Sequence, residues 1–126
     1  MGKMSDLRSR FVNRDLSWLQ FNARVLQEAE DERNPLIERI RFLGIFSNNL
    51  DEFFRVRYAS IQRMESSTDE KKVKETLGGW NPTDLLHAIQ SEVNVLNDRV
   101  ERVYDALMGQ LEAQGVKIID EQDLTQ

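Results

Sequence analysis

Eight apolar residues, Leu85, Ile89, Val93, Leu96, Val100, Val103, Leu107 and Leu111, recur at steps of 4, 4, 3, 4, 3, 4 and 4. At about 3.6 residues per turn, that spacing keeps all eight on one stripe along roughly seven turns and predicts a long amphipathic helix. Pro82-Thr83-Asp84 supplies its start and Gly115 its stop, because proline fits a first helical turn and glycine a left-handed C-cap. A second stripe runs through Leu36, Ile40, Leu43, Phe46, Leu50, Phe53 or Phe54, and Ile61, with Glu38, Arg39 and Arg41 between them as a solvated face. A first helix is expected from Asp15 or Ser17, both good N-caps, to about Glu32. Its apolar residues Trp18, Leu19, Phe21, Val25, Leu26 and Ala29 share one broad face, and Asn34-Pro35 ends it. Residues 1–13 read as a polar lead-in. From Glu65 to Pro82 the pattern lapses, and Gly78-Gly79 before Asn81-Pro82 predicts a mobile loop. Val116-Lys-Ile-Ile-Asp120 has the β-propensity of a short strand, yet no second strand is in sight to pair with it. The expected fold is all-α: a three-helix antiparallel bundle over 1–115, then one short unpaired β-strand that opens a further, truncated domain over 116–126.

Composition narrows the class. With 40% hydrophobic and 31% charged residues in 126, the chain has enough apolar matter for one folded domain. Its 17 basic and 22 acidic residues leave a net charge of −5, which argues against this chain by itself gripping nucleic acid or another polyanion. It contains no cysteine, which excludes disulfides and thiolate metal sites. The longest run of apolar residues and glycine, Phe42–Phe46, is far short of the ~20 residues a membrane span needs, and the N-terminus has no signal-peptide core. A cytoplasmic location, or a peripheral one at the inner membrane, is predicted.

Candidate chemistry is sparse. His87 is the single histidine, one position off the long stripe, and reads as an ordinary boundary residue. Neither common glycine-rich nucleotide loop is present. Asp51 and Glu52 are adjacent and so point in different directions on a helix, which disfavours a metal site. The aromatic residues Trp18, Phe21, Phe42, Phe46, Phe53, Phe54 and Tyr58 lie at helical spacing and read as core before they read as a base-stacking surface. Arg55, Arg57 and Arg63 read as a solvated face before a phosphate cradle. One corner stands out: Ser47-Asn-Asn-Leu-Asp-Glu52 interrupts an apolar helix with two asparagines. Asn49 as N-cap and Glu52 three residues on fit a capping box, with one helix ending near Ser47 and another starting at Leu50. On that reading Asn49→Asp would preserve stability, since aspartate caps about as well. The same corner offers an amide with both a donor and an acceptor to a nucleotide or phosphate.

The run Asn13-Arg-Asp-Leu-Ser-Trp-Leu-Gln-Phe-Asn22 with Arg24-Val-Leu-Gln-Glu-Ala29, and the run Asn34-Pro-Leu-Ile-Glu-Arg-Ile-Arg-Phe-Leu-Gly-Ile-Phe-Ser-Asn-Asn-Leu-Asp-Glu-Phe-Phe54 followed by Arg57, resemble the start of the bacterial polyphosphate kinases. The likeness is close over 13–63 and looser over the third helix and the Val116 strand. It implies a kinase that reversibly transfers the terminal phosphate of ATP to polyphosphate, with Mg2+ and through a phosphohistidine. It also implies that this chain is the N-terminal helical domain, followed by the first strand of a head domain. The residue matching Asn49 contacts ATP in that family, on the adenine side, so Asn49 is the expected ATP-binding residue. No catalytic or metal-binding residue is expected within this chain: the phosphohistidine and the Mg2+ site belong to other domains, and His87 matches none of them. The implied partners are ATP or ADP, polyphosphate, the other domains of the same polypeptide and further copies of itself; neither nucleic acid nor a membrane span is implied. A second reading stays open, a helical module for packing or oligomerisation that touches no ligand. The surplus of polar groups over 47–52 favours the first.

Overall fold

The computed structural model describes residues 13–115. Helix α1 covers Arg14–Glu30, α2 Leu36–Phe53, α3 Ala59–Met64, α4 Glu70–Thr76 and α5 Pro82–Ala113. A π-helical turn, Phe54–Tyr58, joins α2 to α3 without leaving helical dihedrals, so residues 36–64 form one rod. Four helical rods therefore make up the described residues, rather than three. The extra one is α4, inside the segment expected to be a loop. The expected strand at 116–120 lies outside the described residues.

The element starts are set by side chains that satisfy the free N–H groups of a first turn. Asn13, not Asp15 or Ser17, caps α1: its Oδ1 accepts from the amides of Asp15 at 2.9 Å and Leu16 at 3.1 Å. Asp69 caps α4, and Asn81 caps α5 with Pro82 just inside. Helix α5 is 32 residues, or about 48 Å, long. It ends where Gly115 turns to φ +80°. Seven of the eight residues of its apolar stripe are buried, and Val100 is partly so.

Helices α1 and α2 run antiparallel across a short connection and share the core with α5, around Leu19, Leu26, Phe46, Ile61, Ile89 and Leu107. Three expectations about which residues face inward fail. Phe21 is 60% exposed, although it belongs to the aromatic set expected in the core. Arg39, expected on a solvated face, is 5% exposed and donates Nε–H to the carbonyl of Ala29 at 2.9 Å. It sits where the C-terminus of α1 carries free carbonyls and the negative end of the helix dipole, and α1 has no basic residue of its own there. Third, the 65–81 segment is tied down. Val73 and Leu77 are buried, and the buried Asn13 donates Nδ2–H to the carbonyl of Leu77 at 2.9 Å. Gly78 follows at φ +68°, a left-handed conformation that reverses the chain after α4.

Replacing Arg39 by methionine keeps its length but leaves the Ala29 carbonyl without its charged donor. The expected loss is about 1.5–3 kcal/mol of stability, the usual worth of a hydrogen bond to a charged group. Urea unfolding followed by circular dichroism measures it. A loss below about 0.5 kcal/mol would place Arg39 on the solvated face after all.

Candidate functional site

The buried face of α1 reads Asp15, Leu19, Asn22, Leu26, Ala29, at steps of 4, 3, 4 and 3. Two of these five are polar, and each is held by a partner on the rod opposite. Asp15 is 3% exposed. Both its oxygens accept from Arg57, Oδ1 from Nε at 2.7 Å and Oδ2 from Nη2 at 2.9 Å. That fork keeps the Arg57 guanidinium protonated above its usual pKa, against partial burial, which pulls the other way. Arg57 lies within the π-helical turn. Phe53, Arg57 and Ile61 are separated by steps of four, which puts Arg57 on the side of the rod that Phe53 and Ile61 bury. Val56 is turned outward, at 57% exposure.

Asn22 is fully buried and donates Nδ2–H to the carbonyl of Phe46 at 3.2 Å. Its Oδ1 accepts from Nδ2 of Asn49 at 3.1 Å. Asn49 therefore lies in the middle of α2 and is not an N-cap: the helix runs unbroken from Leu36 to Phe53. The expected capping box with Glu52 does not form, because the Asn49 amide is used across the α1–α2 seam. Its neighbours Ser47 and Asn48 are exposed on the outer side of the helix.

Trp18 stacks on Phe53, ring centres 4.9 Å apart and planes within 7°. Trp18, Phe53 and Asn49 line one open cleft of about 340 Å³ together with Arg14, Asp15, Glu52, Val56 and Arg57. Two arginines and two carboxylates balance there, and one arginine is committed to Asp15. The cleft has an aromatic wall, a polar amide and no surplus positive charge, which suits a flat, weakly charged group better than a run of phosphates.

Of the candidates raised by the sequence, Asn49 and Arg57 meet in this cleft. Arg55 pairs instead with Asp51 at 3.4 Å on the surface, and Arg63 and His87 are exposed. Among the described residues, no three His, Asp or Glu side chains gather to hold a metal ion, and no helix is long and apolar enough to cross a membrane. Sequence reasoning missed Asp15 and Asn22 as site-builders. Their signal was present: both fall in register with Leu19, Leu26 and Ala29, and a polar residue in register with a buried stripe needs a partner.

The Asp15–Arg57 fork predicts that lysine will not replace arginine. Arg57→Lys supplies one point donor where two parallel ones are used, and leaves a buried carboxylate half-satisfied. We expect Arg57→Lys to cost about 1–3 kcal/mol in urea unfolding. In a double-mutant cycle with Asp15→Asn, the effects should be strongly non-additive. Additive losses would mean that the two side chains do not act as a pair.

The family model described as the polyphosphate kinase N-terminal domain matches residues 11–119. The polyphosphate kinase of Vibrio parahaemolyticus is 42% identical over 114 residues, 90% of this chain. Those of Klebsiella pneumoniae and Escherichia coli are each 41% identical over 115 residues, 91% of this chain. The matched part is 16% of the length of each of these relatives. No solved structure matches the chain. Since the family model spans most of its length, this chain belongs to the polyphosphate kinase N-terminal domain family.

Proposed function

We propose that this chain is the N-terminal helical part of a polyphosphate kinase and that its α1–α2 cleft forms the adenine side of the ATP site. The observation that carries the reading is the grouping of Asn49, Trp18, Phe53 and Arg14 on one open cleft. A purine needs an aromatic or apolar wall and a polar group at its edge, and the cleft supplies both. Its balanced charge fits a base more closely than a triphosphate, in line with the chain's net −5. On this reading, other domains of the same polypeptide hold the phosphates, the Mg2+ that accompanies them, the phosphorylated histidine and the polyphosphate chain. The full-length protein is then an ATP:polyphosphate phosphotransferase acting in the cytoplasm as a homo-oligomer. This chain alone contributes affinity and orientation for the nucleotide, and no bond-making step is assigned to its residues.

The competing reading, a helical module that only packs or assembles, draws support from how much of α1 is committed to structural contacts. Asn49→Asp no longer separates the two. Aspartate would set a carboxylate against the Asn22 Oδ1 and cost stability whether or not nucleotide binds. Asn49→Ala in the full-length enzyme, assayed well below its melting temperature, is the better test. ATP contact predicts a KM for ATP raised about fivefold or more, from the loss of roughly 1 kcal/mol of binding. A lowered melting temperature with unchanged KM would leave only the scaffold. The 126-residue chain by itself is expected to make no polyphosphate from ATP and Mg2+, and product above background would overturn the division of labour proposed here.

A further inference from the structure

The three groups Phe46 C=O, Asn22 and Asn49 form a chain of hydrogen bonds whose direction is fixed at its inner end. A carbonyl can only accept, so Asn22 must turn its NH2 toward Phe46, as it does at 3.2 Å. That leaves Oδ1 of Asn22 facing Asn49, and two amide oxygens 3.1 Å apart would repel. Asn49 is therefore obliged to turn its NH2 inward. Its Oδ1, the other end of the amide, has no hydrogen-bond partner among the described residues. Every buried side-chain oxygen and nitrogen among them has a partner, and Asn49 itself is only partly buried. Asn49 lines the cleft beside the Trp18–Phe53 stack, whereas Asn22 does not line it.

An asparagine that is free to rotate can present either end and tolerates either a donor or an acceptor. This one is not free. We infer that Asn22 is a positioning residue: it locks the Asn49 amide so that its carbonyl oxygen meets the base, selecting a purine with an exocyclic 6-amino group over one with a 6-oxo group. The inference rests on the nucleotide-site reading above and adds to it the direction of the hydrogen bond and the residue that sets it. An amino group at position 6 donates to the oxygen, whereas an oxo group there faces it acceptor to acceptor and leaves both unpaired. The buried end of the chain needs no contact with nucleotide to exert this choice.

The test uses the full-length enzyme with ATP, GTP and purine riboside triphosphate, which lacks any group at position 6. In the unaltered enzyme, loss of the 6-amino group should raise KM about fivefold, and GTP should fare worse still. In Asn49→Ala, ATP and purine riboside triphosphate should become equivalent. In Asn22→Ala, the Asn49 amide can rotate; KM for ATP should rise by no more than about twofold while KM for GTP falls, so that the ATP-to-GTP ratio of kcat/KM shrinks about tenfold. Loss of packing alone would weaken both nucleotides together and leave the ratio where it was. Asn22→Leu, which fills the space of the lost amide, gives the same comparison should the alanine variant not fold. If Asn49→Ala leaves KM for ATP unchanged, the nucleotide-site reading itself fails. If Asn49→Ala weakens ATP but the unaltered enzyme uses purine riboside triphosphate as well as ATP, the oxygen does not meet position 6. If both of those hold as expected and Asn22 variants keep the full ATP-to-GTP ratio, the role assigned to Asn22 is wrong.

Discussion

A polar side chain on the buried face of a helix must find a partner, because its water is gone and a lone donor or acceptor there costs more than the bond it replaces. Helix α1 carries several such obligations at once. Asn13 answers the carbonyl of Leu77, Asp15 takes the fork of Arg57, and Asn22 bridges the Phe46 carbonyl and Asn49. At the other end, the Ala29 carbonyl receives Arg39, and Glu30 pairs with Arg99 on α5. Each tie reaches a different part of the chain. Together they fix the rotation of α1 about its own axis, which apolar contacts alone constrain loosely, because one Leu can slide past another at little cost.

The same obligations shape the rod opposite. Steps of seven from Leu50 and four from Phe53 put Arg57 on the buried side of that rod. The π-helical turn at Phe54–Tyr58 holds the arginine whose guanidinium meets the carboxylate. Val56 and Arg57 line the cleft together with the stacked Trp18 and Phe53. Asn49 takes part both in the α1–α2 seam and in the lining of the cleft.

The charges of the helical domain are largely balanced, with 17 basic and 22 acidic residues in the chain. Arginines 39, 57 and 99 are engaged with a helix carbonyl or a carboxylate. Acidic residues outnumber the remaining basic ones, and a net charge of −5 leaves little positive field for a polyanion, whose affinity depends on such a field.

The three long helical rods were legible in the sequence, and the short α4 was not. Periodicity placed α5 from Pro82 to Gly115, and its stripe is the stripe that is buried, because spacing on a rigid helix dictates which side chains share a face. The two sequence runs around Asn13–Ala29 and Asn34–Arg57 also carried the family. What the sequence reading misassigned were Arg39, put on the solvated face, Asn49 and Asp15, each put at a cap, and 65–81, read as a loop although it holds α4. A pattern of apolar residues cannot say where a polar one finds its partner, since Asp15 and Arg57 lie 42 residues apart and Asn22 and Asn49 lie 27 apart. The sequence by itself determined which faces are apolar. Only the tertiary structure decided which buried amide and carboxylate meet which donor, and with that the direction in which Asn49 faces the cleft.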